Sequence, residues 1–461
     1  MPVRFLSFAA ALLVASAGVA QTPSFGIAAV SQVDPGRAGS STYGDVWGYV
    51  APDGTEYALL AGRGTGLSIL DVTGAPAAPA VEVGFLPRIA GASDAKDVKV
   101  IGRYAYLVNE RGPMQIVDLA DPTNPVQVGT LDVQPGTSGG GAHNVAVNGD
   151  FLYVTGGRTS GNAGLRIYSV AADPTAPTFV GEFRPTHFST LYYHDFEVRG
   201  TMGLGPGIYG DGVDVLDLSD PANPTLVSTF NYPGSGAHNT CLSEDGQTVY
   251  VGDEIGAAGN WTRVFDISDP TDVEFVTDLI VDANAVVHNC YVRGSLLYIA
   301  HYTEGLQVYD VTTPTAPVRV AAYDTYAPTG YGTRGAWTAY PYLPSGKVLV
   351  SDLQSGLFVI ELEAGVVASA SAPEAGMALT VAPNPAAGAA TVTVSLGEAA
   401  RVALDVMDVL GRRVTGVDAH DRTAGTHALA VSLDSLPAGV YIVRLTLDGR
   451  AAGVQTLSLA R

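Results

Sequence analysis

Short runs of alternating apolar and polar residues, rich in Val, Ile, Tyr and Thr, recur along the chain, and clusters of Gly, Asp, Asn and Pro separate them. Alternation with that punctuation predicts half-buried β-strands joined by tight turns. One phrase repeats: an apolar run ending in an acidic or polar residue, then small residues and prolines, then a second apolar run. The first runs read LSILD to Asp71, MQIVD to Asp118, LRIYS to Ser169, VDVLD to Asp217, TRVFD to Asp266, LQVYD to Asp310 and LFVIE to Glu361. Their spacing of about 44 to 51 residues is the period of a four-stranded propeller blade.

Each unit is expected to hold an opening strand (145–147 in one copy), a second (151–155), the recurrent run, and a fourth strand (126–131 in another copy). Asp121-Pro122-Thr123-Asn124-Pro125 and Asp220-Pro221-Ala222-Asn223-Pro224 spell the turn between the third and fourth strands. Proline fixes φ there and Asp or Asn bonds its own backbone, so these acidic residues read as turn chemistry rather than calcium ligands. The seventh unit ends after Glu361 without a fourth strand, whereas residues 26–33 supply an orphan strand. If that strand completes the last blade, no sheet edge stays open. The expected fold is therefore all-β: a seven-bladed propeller closed by its N-terminal strand.

The phrases ending in Ile-Val-Asp or its variants resemble the LVIVD-repeat propellers of the choice-of-anchor B family of secreted bacterial proteins, over residues 26–362. That family is defined by its scaffold, so the resemblance implies a fold and not an activity.

The two ends add an itinerary. Residues 1–20 have Arg4, an apolar run from Phe5 to Val14 and small residues ending Gly18-Val19-Ala20, the three parts of a secretory signal, with cleavage expected before Gln21. No later segment has the roughly 18 consecutive apolar residues of a membrane helix. The propeller is assigned to 21–362, and 363–378, poor in large residues, reads as a linker. Residues 379–461 form a second module, a small β-sandwich. It contains Val381-Ala382-Pro383-Asn384-Pro385, Val409-Leu410-Gly411-Arg412-Arg413-Val414 and Leu436-Pro437-Ala438-Gly439-Val440-Tyr441. This ordered set resembles the C-terminal sorting domain of the type IX (Por) secretion pathway. The resemblance implies Sec export, handling by the type IX machinery, passage across the outer membrane, removal of the tail, and release or lipopolysaccharide anchoring at the surface.

Composition narrows the partners. The formal charge of −21, from 45 acidic against 24 basic residues, is spread along the chain and makes nucleic acid and anionic membranes poor partners. Cys241 and Cys290 lie three and two residues after His238 and His288, so a one-residue offset turns them to opposite faces of neighbouring blades. They form a disulfide or remain two buried thiols.

Chain direction places the loop entering each first strand and the loop joining the second and third strands on one rim. Four successive entries carry His143-Asn144, His194-Asp195, His238-Asn239 and His288-Asn289; the preceding one carries Lys96-Asp97, and the other two are aligned as Val46-Trp47 and Ala336-Trp337. The second-to-third loops add Arg63, Glu110, Arg111, Arg158, Asp253, Glu254, His301, Glu304 and Asp352. A polar, acid-rich funnel on the axis follows, with Asp97, Asn144, Asp195, Asn239, Asn289, Glu110, Arg111, Glu254, His301, Trp47 and Trp337 as its candidate ligand contacts. The four entry histidines either hold a divalent transition metal, bond loop backbone and water, or touch the ligand directly. The two tryptophans either wall a sugar or peptide site or pack between inner strands. No His-Glu-x-x-His or phosphate-loop motif occurs, which weighs against catalysis, although propeller enzymes gather sites from several blades. The leading expectation is a secreted or surface binding propeller for a glycan, peptide or protein. The alternatives are a metal-dependent hydrolase or lyase at the histidine cluster, and an adhesion component working through blade edges.

Overall fold

The computed structural model describes residues 24–36, 42–134, 140–157, 164–256, 259–328 and 331–366, and in the tail 378–384, 386–396, 399–407, 413–434, 436–437, 439–447 and 450–459. The signal segment 1–20, Arg158, most of the linker, and Val409, Leu410, Gly411 and Arg412 of the tail motif lie outside them.

Seven four-stranded antiparallel sheets occupy the described part of 24–366, and in six of them the strands lie side by side in sequence order. The first runs Tyr43–Val50, Glu56–Gly62, Gly66–Asp71 and Val81–Pro87; the second to sixth open with Ser93–Ile101, Asn144–Asn148, Glu197–Arg199, Ala237–Leu242 and Cys290–Arg293. In the seventh, Ala336–Tyr340, Val348–Asp352 and Gly356–Leu362 are joined by the N-terminal strand Ile27–Val33, paired from Ile27↔Leu362 to Val33↔Leu357. Opening strands of consecutive sheets touch one another, and Ala336–Tyr340 also touches Tyr43–Val50. This is a β-propeller.

Burial follows position in the sheet. The third strand Gly66–Asp71 is buried up to its last residue because sheets cover both its faces, whereas the outer strand Val126–Leu131 is mostly exposed. Apolar side chains fill the gaps between sheets: Leu59, Ile69 and Leu86 of the first sheet pack on Val98 and Leu107 of the second, and Val46, Leu60 and Leu70 pack on Leu349, Leu357 and Val359 of the seventh. Glu56 also reaches the seventh sheet, accepting from Ser345 N at 2.8 Å and Lys347 Nζ at 3.2 Å.

The acid that ends the recurrent phrase has a local cause. Asp71, Asp118, Asp217, Asp266 and Asp310 each accept the backbone N–H two residues on, at 2.8 to 2.9 Å. Asp121, Asp173, Asp220 and Asp269 repeat the bond in the following turn. A short carboxylate folded onto its own backbone starts the turn, and no cation is needed.

Cys241 and Cys290 are joined by a disulfide, S–S 2.05 Å, between the fifth and sixth sheets. The tail is a separate β domain: a three-stranded sheet and a four-stranded sheet share one core, with Val392 and Leu429 from the first and Leu404, Val443 and Leu457 from the second. Among the described residues no helix is long and apolar enough to cross a membrane.

Candidate functional site

A β-bulge at the start of several opening strands builds the site. Ala95 pairs with Asn109 and Asp97 with Val108, so the register shifts at Lys96; it shifts in the same way at His238 and Trp337 in the fifth and seventh sheets. A bulge adds a residue to one strand and re-aims its side chain. Lys96, His238 and Trp337, re-aimed in this way, join His143, His194 and His288, which precede their opening strands, in an upper circle around one open space. The rings of His143, His194, His238 and His288 follow one another at 4.3 Å between centroids, and His288 lies 4.0 Å from Trp337. Lys96 Nζ stands 5.3 Å over Trp337 and 3.7 Å from Glu110, whose Oε2 is 3.0 Å from His143 Nδ1.

The first sheet gives this circle no side chain. Its bulge spans Tyr43↔Gly62 to Val46↔Leu60, which takes in Gly44 and Asp45, and a Cβ on Gly44 would stand 2.7 Å from the Lys96 carbonyl oxygen. The alignment of Val46-Trp47 with the entries is thus corrected by two residues: Gly44-Asp45 is the equivalent of Lys96-Asp97. Trp47 lies deeper, 4.7 Å from the Tyr340 ring and 5.9 Å from Tyr291, with Lys99 Nζ 4.7 Å over it. Asp45 is one residue that sequence reasoning missed, as it missed Lys99 and Tyr302; for Asp45, the Asp-Val pair shared by Gly44-Asp45-Val46 and Lys96-Asp97-Val98 carried the signal.

Asp45, Asp97, Asn144, Asp195, Asn239, Asn289 and Thr338 form the second circle. These side chains stitch sheet to sheet: Asp97 accepts from Val145 N at 2.7 Å, and Asn239 accepts from Cys290 N at 3.0 Å while donating to Asp195 at 2.6 Å. Asn289 donates to Thr338 at 2.9 Å. Lys99 pairs with Asp45 at 2.8 Å and with Asp97. Burial opposes the charge on Lys99, but the two carboxylates outweigh it and hold the ammonium above the usual lysine range. Asp97 is pushed up by burial and by neighbouring Asp45, against the pull of Lys99.

Two spaces result. An open funnel of about 250 Å³ is bordered by the four histidines, Arg63, Lys96, Glu254, Tyr302 and Trp337. Beside it, a chamber of about 20 Å³ is lined by Asp45, Asp97, Asn144, Asp195 and Asn289 of the second circle, by Lys99 and Tyr291, and by the upper circle. A water needs roughly 10–15 Å³, so the chamber admits a water or so.

Burial governs the charge states. It drives His194 and His288 well below the usual imidazole range, with the neighbouring histidines adding to the effect, and takes His238 to about 3 against the opposing field of Asp195. These three rings are neutral at neutral pH. Burial also raises the carboxyls of Asp195 and Glu254. Glu254 accepts from Tyr302 Oη at 2.6 Å, and its Oε2 is 3.6 Å from His238 Nε2.

Other residues expected at the rim are placed elsewhere. Arg111 is exposed at a strand end and His301 is buried within the field of Asp282; neither borders the funnel. Asp253 and Asp352 pin loops: Asp253 accepts from Gly236 N and Tyr232 Oη, and Asp352 from Thr325 Oγ1 and the amides of Gln354 and Ser355. Trp337 borders the funnel while only 9% exposed, packed by His288, with Lys96 and Arg63 within 6 Å of its ring centre.

Fold and repeats together define the class: a β-propeller that carries LVIVD repeats. The LVIVD repeat model matches residues 92–133, 139–184, 209–232 and 287–325, and a secretion system C-terminal sorting domain matches 380–456. The chain carries LVIVD repeats and a type IX sorting tail, so it is handled by the type IX machinery and exported to the cell surface or beyond. No curated protein matches it significantly. Among solved structures, a chain of a mitotic checkpoint complex is 12% identical with a TM-score of 0.52, over 79% of this chain and all of that one, which speaks to fold alone. A periplasmic gluconolactonase, PpgL, of Pseudomonas aeruginosa is 15% identical with a TM-score of 0.47, over 85% of this chain and 99% of that one. A functionally unknown protein of Desulfotomaculum acetoxidans DSM 771 is 18% identical with a TM-score of 0.44, over 60% and 85%.

Proposed function

We propose that the chain is a secreted or surface-attached binding protein, a closed seven-bladed propeller at 21–362 behind a signal at 1–20, whose axial funnel takes the end of a glycan or peptide. The pairing of Ile27–Val33 with Gly356–Leu362, and the contact of the seventh sheet with the first, support the closed ring. One observation carries the binding reading: the funnel is open, about 250 Å³, and adjoined by a chamber that admits only water. That volume falls just under the range of about 300–1,000 Å³ for small-molecule pockets, so it suits one sugar ring or side chain presented end-on. Arg63, Glu254 and Tyr302 are the polar groups at its mouth.

The test is a glycan and peptide binding screen run in chelator, with Arg63→Ala and Tyr302→Phe beside the parent. A ligand whose affinity falls at least tenfold in both variants is the expected result. Ligands bound equally by parent and variants, but lost on substitution of exposed outer-strand residues such as Phe179 or Val318, would replace this reading with edge-mediated adhesion. A metal-dependent hydrolase or lyase is the second reading, favoured by the closeness of His194, His238 and Glu254.

A further inference from the structure

The funnel wall contains an arrangement that ligand capture alone does not require. Ligand atoms of His194, His238 and Glu254 all lie within 4.8 Å of one another. His238 Nε2 and Glu254 Oε2, at 3.6 Å, are too far apart for a hydrogen bond but close to the roughly 3.4 Å that separates two ligands of a tetrahedral zinc with bonds of about 2.0–2.2 Å.

The hydrogen-bond pattern points the same way. His238 is 2% exposed and its Nδ1 has no partner. His288 is 1% exposed, and its Nδ1 lies 2.6 Å from the Trp337 carbonyl. A carbonyl only accepts, so that nitrogen carries the proton and Nε2 is a bare lone pair, buried and without a partner. Beside it, His143 Nδ1 faces the Glu110 carboxylate, the outer-shell contact that fixes a metal-binding imidazole with Nε2 free. Buried polar atoms are normally paired, and neighbouring histidines lacking partners are costly unless something else satisfies them. Asp195 and Glu254 add two carboxyls that form no salt bridge with lysine or arginine among the described residues, although the field of Lys99 reaches Asp195 and that of Lys96 reaches Glu254.

We propose that His194, His238 and Glu254 bind one zinc-class transition-metal dication at the funnel wall, with His143 and His288 flanking it as further nitrogen donors. Two imidazoles and one carboxylate form a borderline donor set, which selects such ions over calcium or magnesium and leaves a coordination position facing the funnel. This goes beyond ligand capture and can fail independently of it, because the metal is titrated with no organic ligand present.

The full chain, without an added histidine tag, is stripped with chelator and dialysed against zinc chloride and, separately, cobalt chloride. Expected are one zinc per chain by elemental analysis, at least a tenfold weaker affinity in His238→Asn and in Glu254→Gln, and a cobalt absorption band of four- or five-coordinate intensity. Zinc content unchanged in a His194→Ala/His238→Ala/Glu254→Gln variant would assign the ion to surface carboxylates and overturn the proposal. So would a cobalt spectrum of the six-coordinate aquo type in the parent, a readout that needs no variant to fold.

Discussion

Lys99 holds its ammonium between Asp45 and Asp97 at a depth where each of the three side chains is at least 94% covered. Breaking a buried ion pair from one side leaves an uncompensated charge, at a typical cost of 3–5 kcal/mol. Lys99→Met is therefore expected to lower unfolding stability by about that amount, and adding Asp97→Asn should restore part of it, because one of the stranded carboxylates is gone. Urea melts of both variants check this; equal stability of Lys99→Met and parent would show that the triad contributes nothing net. How much of the site was legible in the sequence is clearest at this scale. The histidine-polar entries announced themselves because four copies repeat in register. Asp45 did not, because an inserted bulge residue shifts the strand and Trp47 drew the eye to the wrong pair. Nor does any local pattern reveal that Asn239 bonds Cys290 N or that Asp97 bonds Val145 N, since those contacts cross between sheets.

Strands and turns were the most readable elements. Their period, their punctuation and the Asp that ends five of the seven recurrent runs all have local causes, and local causes leave local traces. The disulfide was half readable: the offset of Cys241 and Cys290 set their opposite facing, but whether the sulfurs meet depends on how close two sheets pack. That cross-link closes a loop of 49 residues between the fifth and sixth sheets, directly below His238 and His288. Replacing both cysteines by serine should cost about 2–4 kcal/mol, read as a lower denaturant midpoint, and reductant should shift the parent toward the variant while leaving the variant unmoved. A variant as stable as the oxidised parent would mean that the inter-sheet core around Tyr250, Val287 and Leu297 is sufficient alone.

At the scale of the whole molecule, two modules divide the work: a propeller presents the funnel, and a tail matched over 380–456 addresses it. Deleting 379–461 is expected to leave a folded propeller in the periplasmic fraction with none at the cell surface or in the medium. Fractionation and immunodetection check this, and undiminished surface protein would move the address into the propeller. The two ends of the propeller also meet within the seventh sheet. Gln32 donates to the Ser355 carbonyl across 323 residues, so this pairing closes the longest loop the propeller has to offer. A polypeptide that emerges N-terminus first releases Ile27–Val33 at the outset and must carry it unpaired until Gly356–Leu362 follows. A product truncated before residue 356 leaves that strand, and the sheet awaiting it, with open edges, which invite pairing with other chains and proteolysis. The propeller thus audits its own completeness, since its first strand is satisfied only when its last has arrived.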